Sequence, residues 1–458
     1  MEVTSQKIYN NINGTGKMKR NIEYVTAIDI GTTKIVAIAG RKTQKGKIEI
    51  LGIGVAPSHG VRRGVVLNIE QTAQSIMIAV KEAEEKSGVE FKEVFVGIAG
   101  QHIKSSMNRA YKFYDHYDHE ITQEDINELT QEMSKIPIEP GEEIIHIIPQ
   151  TFMVDSDHNV KHPIGISGRK LDINFHIVVG EIASARNIAK CVERAGLKVV
   201  KLILEPLASS EAILTDDEKE AGVAMVDIGG GTTDLAVFHD GILRHTSVIP
   251  FGGDVISKDI KEGANILLRN AESLKVQYGS ALGDLAPENK VVAIPGISGR
   301  DSKEITFKTL AYIIQARMEE IIEAFAYEIE LCGFYDKLGA GIALTGGGAL
   351  LKHLPQLVKF KTGLDVRMGN PNENFSTGMN DDFNLPFYST GLGLIVKGYE
   401  YLEKEDKPLI SSKVEKQKER EIENTQTTVN KNPKERKFIN NIKESIYNIF
   451  EDKDNKLD

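Results

Sequence analysis

Two short runs in this chain combine an aspartate, glycines and threonines in an order suited to holding a polyphosphate. Ala27-Ile28-Asp29-Ile30-Gly31-Thr32-Thr33-Lys34 leads into the apolar residues 35–40. Further on, Met225-Val226-Asp227-Ile228-Gly229-Gly230-Gly231-Thr232-Thr233-Asp234 leads into Leu235-Ala236-Val237-Phe238. Each reads as a buried strand, an Asp at its end, a Gly/Thr turn and a second apolar strand. Glycine lets backbone N–H groups close on phosphate oxygens, and threonine hydroxyls add donors. An aspartate beside polyphosphate is repelled unless a cation lies between them, so Asp29 and Asp227 together imply Mg²⁺, held through water. Gly31, Thr32, Thr33 and Lys34 are the phosphate candidates of the first copy. Gly229, Gly230, Gly231, Thr232 and Thr233 are those of the second. Asp234 either joins them or braces its turn as an Asx-type cap.

One such hairpin alone is an ordinary tight turn. Its recurrence at a distance points instead to a duplicated domain, with one nucleotide clamped between the copies. A third cluster, Ala343-Leu344-Thr345-Gly346-Gly347-Gly348-Ala349, follows another apolar strand and could support the nucleoside end.

The elements that must position these turns can be read from periodicity. Strands are expected over 24–30, 34–40 and 47–56, then a helix over 69–87 closed by Gly88, then a strand over 91–99. That β-β-β-α-β order is half of a ribonuclease-H-like domain. From 101 to 180 the chain turns polar and histidine-rich, with one helix (122–133) and strands over 143–154 and 171–179, and reads as an inserted α+β subdomain. His116 and His119 with Asp115 and Asp118 match no closed metal site by spacing. A helix, a strand and a helix follow over 182–214. The second half opens at Gly222, carries a mostly helical insert over 255–305, a long helix over 307–332 and a closing helix over 388–403.

Size and composition set the class. A chain of 458 residues with 41% hydrophobic content is too long for one core. Its net charge of −10 argues against general nucleic-acid binding. No segment approaches the roughly 20 apolar residues of a membrane span. Residues 1–22 lack the apolar run of a signal peptide and read as a disordered extension, with Met18 as an alternative start. Cys191 and Cys332, the only cysteines, suit buried thiols in a reducing cytoplasm. Residues 404–433 have a linker composition. Beyond them, Phe438, Ile439, Ile442, Ile446, Ile449 and Phe450 fall within about a 120° arc of a helix spanning 434–450. Four basic residues against two acidic ones flank this stripe. Such a helix suits either an anionic membrane surface or a partner protein.

The turns resemble the actin-like ATPase superfamily, and further blocks narrow the likeness to the FtsA family of bacterial cell-division proteins. These blocks are Val96-Gly97-Ile98-Ala99-Gly100-Gln101-His102-Ile103, Pro163-Ile164-Gly165-Ile166-Ser167-Gly168 and Leu207-Ala208-Ser209-Ser210. Arg244-His245-Thr246-Ser247-Val248-Ile249-Pro250, the run Ala271–Gly279 and the amphipathic tail complete the set. The resemblance implies an α/β fold of two duplicated ribonuclease-H-like domains with inserted subdomains. Subdomain 1A would be 23–100 and 181–221, 1C 101–180, 2A 222–254 with 306–403, and 2B 255–305. It implies ATP and Mg²⁺ as ligands, self-association into filaments, and attachment of FtsZ to the cytoplasmic face of the inner membrane at the division site. Other division proteins would follow as partners.

By the same resemblance, Glu205 stands where related ATPases orient the attacking water, though a helix N-terminus also favours a carboxylate there. Glu272 and Lys275 match a ribose-contacting pair, or form a plain surface ion pair. Gly346 and Gly347, beside Gly348, would pass under the adenine. Arg300 and Lys303 could meet the acidic FtsZ C-terminal peptide, or belong to a solvated loop. With no assured general base, ATP turnover is expected to be slow at most. Two rivals share the superfamily. A small-molecule kinase needs a carboxylate in a sugar pocket, and a chaperone ATPase needs a β-rich domain after 403; neither feature is legible.

Overall fold

A computed structural model of the chain describes residues 24–295, 301–371, 374–376 and 383–405. They belong to a compact unit spanning Asn21–Tyr401, except that 402–405 fall in a second unit made of Met1–Arg20 and Leu402–Asp458. The sequence reading of 1–22, of the 404–433 linker beyond 405, and of the 434–450 tail lies outside the described residues.

The first half begins with β1 (Val25–Ile30), β2 (Lys34–Lys42) and β3 (Ile48–Pro57), an antiparallel meander. A small hairpin, β4 (Val61–Arg62) and β5 (Val65–Val66), leads to α1 (Ile69–Ser87). The boundaries of α1 follow from its ends. The Asn68 side chain accepts the Gln71 N–H at 3.1 Å, and Gly88 leaves the helix at φ 70°, a left-handed conformation that glycine adopts freely. Its apolar stripe, including Ala73, Ile76, Ala79, Val80 and Ala83, packs on the sheet. β6 (Glu93–Ile98) then pairs parallel with β1.

The chain next leaves for an insert built on β7 (Lys104–Phe113), α2 (Gln123–Met133), β8 (Glu142–Val154), β9 (Asp157–Val160) and β10 (Lys170–Glu181). They form a separate sheet in the order β7-β10-β8-β9, with its own core around Leu171, Ile173 and Phe175. Strand β7 was not expected from the sequence. It lies at the sheet edge, pairs only with β10 and buries only Ala110, so its residues show no apolar alternation. His119 is only partly exposed. It stacks on Tyr114 with ring centroids 3.7 Å apart and sits 3.1 Å from Asp125, whose carboxylate closes the cap of α2. Asp115, His116 and Asp118 are exposed.

The return passes through α3 (Ile182–Arg194), β11 (Lys198–Leu204), α4 (Glu205–Ile213) and α5 (Asp216–Ala221). The second half repeats the first with β12 (Val223–Ile228), β13 (Thr233–His239) and β14 (Ile242–Ile249). Then come α6 (Gly253–Ala264), α7 (Leu268–Tyr278), the hairpin β15 (Val291–Ile294) and β16 (Lys303–Thr306), and α8 (Phe307–Leu331). β17 (Ile342–Thr345), α9 (Leu354–Thr362), β18 (Val366–Met368) and α10 (Ser389–Glu405) complete it. The 255–305 insert is therefore helical with a terminal two-stranded hairpin.

The duplication is visible in the sheets. One runs β11-β6-β1-β2-β3 and the other β18-β17-β12-β13-β14. In each, a meander of three strands continues into two parallel strands. The long helix α8 covers the second sheet with Leu310, Ile314, Met318, Ile321, Phe325 and Ile329, all essentially inaccessible to water. Each side chain so buried contributes about 1.5–3 kcal/mol relative to exposure. Both meanders aim their first turns at the same place.

Candidate functional site

Strands β1 and β12 are buried along their whole length, so their penultimate residues, Asp29 and Asp227, are carried inside with them. Each strand then reverses through its Gly/Thr turn. In the second turn Gly229 N–H donates to Thr232 O at 2.9 Å. The start of α6 fastens the same turn, because Gly253 N–H donates to Gly229 O at 2.9 Å and Asp254 N–H to Gly230 O at 2.7 Å. The two turns meet face to face. A Cβ on Gly230 would lie 2.4 Å from Thr33 Cγ2, and one on Gly231 would lie 2.3 Å from Thr32 Oγ1. Glycine is required here by close approach between the halves.

Between the turns is a cavity of about 280 Å³. Its wall includes Asp29, Gly31, Thr32, Thr33 and Lys34 from the first half, and Asp227, Gly229, Gly230, Gly231, Thr232 and Asp234 from the second. Glu205, Glu272, Lys275, Gly346, Gly347 and Gly348 also line it. Thr233 does not. It is fully buried, and its hydroxyl donates to Phe251 O at 2.8 Å, tying the turn to the chain beyond β14.

Five carboxyl groups line this cleft; Glu272 is paired with Lys275, and burial shifts the other four. Asp29 is pushed up to about 6, chiefly by desolvation, with Lys34 opposing the rise and Asp227 adding to it. Glu205 and Asp234 are driven well above the ordinary carboxylate range by burial and by the neighbouring aspartates. Asp227 is raised by burial, but Ser209 and Thr390 hydroxyls donate to its Oδ2 at 2.7 and 3.2 Å and favour its charged form. Lys34 is pulled down to about 8 by burial; its ammonium donates to Phe387 O and stands 3.9 Å from the Phe387 ring centroid. The Oδ1 of Asp234 is buried with no hydrogen-bond partner among the described residues. A buried, acid-rich site with an orphaned oxygen fits a hydrated divalent cation better than it fits bare phosphate.

The third Gly turn, expected to pass under the adenine, packs against the protein itself. Gly346 has φ +86°, and a Cβ there would sit 2.2 Å from Asp227 Oδ1 and 2.6 Å from Ile228 O. A Cβ on Gly348 would meet Ile228 Cγ2 at 2.4 Å. These glycines are therefore demanded by the protein's own strand β12. Gly347 alone has open space, with Phe387 Cβ the nearest contact at 3.9 Å. An adjoining pocket of about 230 Å³ is walled by Ile256, Val276, Leu350 and Leu351, an apolar slot of the kind a base would enter. Glu272 and Lys275 are at once an ion pair, at 2.7 Å, and part of the cavity wall. Lys275 also donates to Gly253 O at 2.9 Å, which ties α7 to α6 beside the second turn.

Several residues at the cleft wall or bonded to it from behind had no sequence signal. Ser209 lies in a block noted for its likeness but without an assigned role. Phe387 and Thr390 reach the cleft from the closing helix and the turn before it, far from either hairpin. Away from the cleft, Lys303 opens β16 and its ammonium donates to Asn265 O at 2.6 Å. Arg300 and the stripe Phe438, Ile439, Ile442, Ile446, Ile449 and Phe450 lie outside the described residues.

Comparison with known proteins places this geometry. Residues 224–393 match the family described as Cell division protein FtsA, and residues 100–179 match the SHS2 domain inserted in FTSA. The chain is 40% identical over 379 residues to the cell division protein FtsA of Neisseria meningitidis serogroup B, covering 82% of this chain and 91% of the relative. It is 38% identical over 375 residues to that of Pseudomonas aeruginosa, covering 82% and 89%. Among solved structures, a chain of the PilM-PilN type IV pilus biogenesis complex superposes with a TM-score of 0.60 at 16% identity, over 82% of this chain and 98% of that one.

Proposed function

The chain belongs to the FtsA family of cell division proteins, with an actin-like ATPase fold, and from that premise we propose that it is an ATP-regulated membrane tether for the division ring. In this reading the cleft holds ATP with Mg²⁺. Loaded chains polymerise, the 255–305 insert receives the FtsZ C-terminal peptide near Arg300 and Lys303, and the 434–450 helix attaches the filament to the cytoplasmic face of the membrane. Later division proteins would then be recruited to it.

The observation that carries the reading is the convergence of both Gly/Thr turns, five carboxyls, Lys34 and the third Gly turn on one cavity. Mg²⁺ would supply the positive charge that lets the carboxylates and the phosphates coexist, with Asp29 and Asp227 holding its waters. Thr32, Thr33 and Thr232 would donate to phosphate oxygens. Glu205 would orient water. In the unloaded cleft burial favours its protonated form, a poor state for accepting a proton, which fits slow turnover and ATP acting as a switch. Among the described residues no helix is long and apolar enough to cross a membrane.

Burying the six apolar residues of the tail has an upper bound of roughly 9–18 kcal/mol. Shallow insertion and helix ordering reduce this to a few kcal/mol, so one chain attaches reversibly and a filament attaches by avidity. The test is co-sedimentation with anionic vesicles and ATP, with and without FtsZ. The parent should carry FtsZ to the vesicles. Ile442→Glu with Ile446→Glu should release the chain while ATP binding is unchanged; retention of the double variant would make the tail a partner helix and end the tether reading.

A further inference from the structure

A second cavity, of about 250 Å³, lies where the insert meets the second half. The two are joined along β14, where Gln150 Nε2 donates to Leu243 O at 2.5 Å and to Arg244 O at 3.2 Å. Three cationic side chains line the cavity, each from a different element. Lys161 follows β9 of the insert, Arg244 lies on β14, and Lys337 lies on the turn after α8. In a chain whose net charge is −10, such a gathering runs against the average field.

The positive charge here is poorly compensated. Asp240 is the one carboxylate on the wall. It stands 3.3 Å from Arg244 Nη2 and 2.9 Å from His239 Nδ1, and that buried nitrogen is not aligned for a hydrogen bond. The Arg244 side chain is only 14% exposed, and its Nε donates to His239 O at 3.2 Å. Its Nη2 donates to Asp240 Oδ2 at 3.3 Å, and its Nη1 has no acceptor among the described residues. Lys337 makes no ion pair among the described residues; its ammonium stands 4.8 Å from the centroid of Phe334, and Arg244 stands 5.2 Å from the same ring. Lys161 has only a distant partner, Glu220 at 3.8 Å on the exposed rim. A largely buried arginine with spare donors, beside two exposed ammonium groups, is the arrangement that binds a compact oxyanion.

We infer that this cavity binds a phosphate-type dianion through Arg244, Lys337 and Lys161. Neither the nucleotide cleft nor any site discussed above shares these residues. Because Lys161 belongs to the insert and the other two to the second half, the bound anion would clamp one to the other. The ligand is either free phosphate or the phosphoryl group of a monoester.

The experiment is a calorimetric titration of the full chain with inorganic phosphate and, separately, with phenyl phosphate, at constant ionic strength. The comparison is between the parent and Lys161→Glu with Lys337→Glu, both exposed positions that the fold tolerates. The double variant should lose at least tenfold in affinity for whichever anion binds. Lys81→Glu with Lys92→Glu, an equal charge change elsewhere on the surface, should lose nothing. Tighter binding of inorganic phosphate identifies the free ion, and tighter binding of phenyl phosphate identifies the ester. Binding of both anions that is equal in parent and double variant, or absent from the parent, overturns the proposal. ATP-analogue affinity is measured on the same samples; its failure would sink the nucleotide assignment and leave this outcome intact.

Discussion

At the scale of single residues, the cleft is defined by a conflict between burial and charge. Raising one carboxyl from 3.8 to about 6 costs the folded protein roughly 3 kcal/mol once that group is ionised. Asp29 in the unfolded chain releases its proton near pH 4, whereas in the fold it holds it to about 6. Its stabilising contribution is therefore present below the lower value and lost as pH rises through the upper one. In the ligand-free protein, Asp29→Asn should raise the melting temperature at pH 7.5, and the gain should vanish near pH 4. A gain of the same size at both pH values would mean that the carboxyl is not strained by burial. The types and spacing of Asp29, Asp227 and the glycines were legible because both copies keep the Asp and the following glycine at the same offsets from their strand. The reason for Gly346 was not, since the atom it avoids, Asp227 Oδ1, is supplied by a strand distant in sequence.

At the scale of elements, strands and helices with one wet and one dry face were readable, and those without were not. Helix α1 carries both an apolar stripe and a cap at each end, and its expected limits coincide with the observed Ile69–Ser87. Strand β7 carries neither and was missed. The joint between the insert and the first half was also invisible. His146 on β8 accepts the Leu204 N–H at 3.0 Å, one residue before Glu205. It can do so only as neutral imidazole, and burial together with Lys201 and Lys397 pulls it down to about 3. The unfolded residue protonates near its ordinary 6.5, so this contribution is complete above that value and is lost as pH falls towards 3. Replacing His146 with Leu leaves the Leu204 N–H unpaired and should cost about 1–3 kcal/mol at pH 7.5. Chemical denaturation would measure it, and an unchanged midpoint would mean that the joint contributes nothing.

At the scale of the whole molecule, two sheets of identical strand order present equivalent turns to one another, and the candidate cleft exists only where the halves meet. Duplication was readable because each copy keeps its own hairpin pattern. The contributions of Phe387 and Thr390 were not, because they arise from how the last helix closes on both halves. The proposed clamp on a nucleotide would draw on both halves at once. Gly230 tests that coupling, since any side chain there strikes Thr33 of the opposite turn.

The most direct test is an equilibrium titration with a fluorescent ATP analogue, with and without Mg²⁺, for the parent and Gly230→Val. The account predicts saturable, Mg²⁺-dependent binding by the parent and at least a tenfold loss in the variant, or about 1.4 kcal/mol, with the fold retained. Equal affinity of parent and variant, or no saturable binding by the parent, would contradict it.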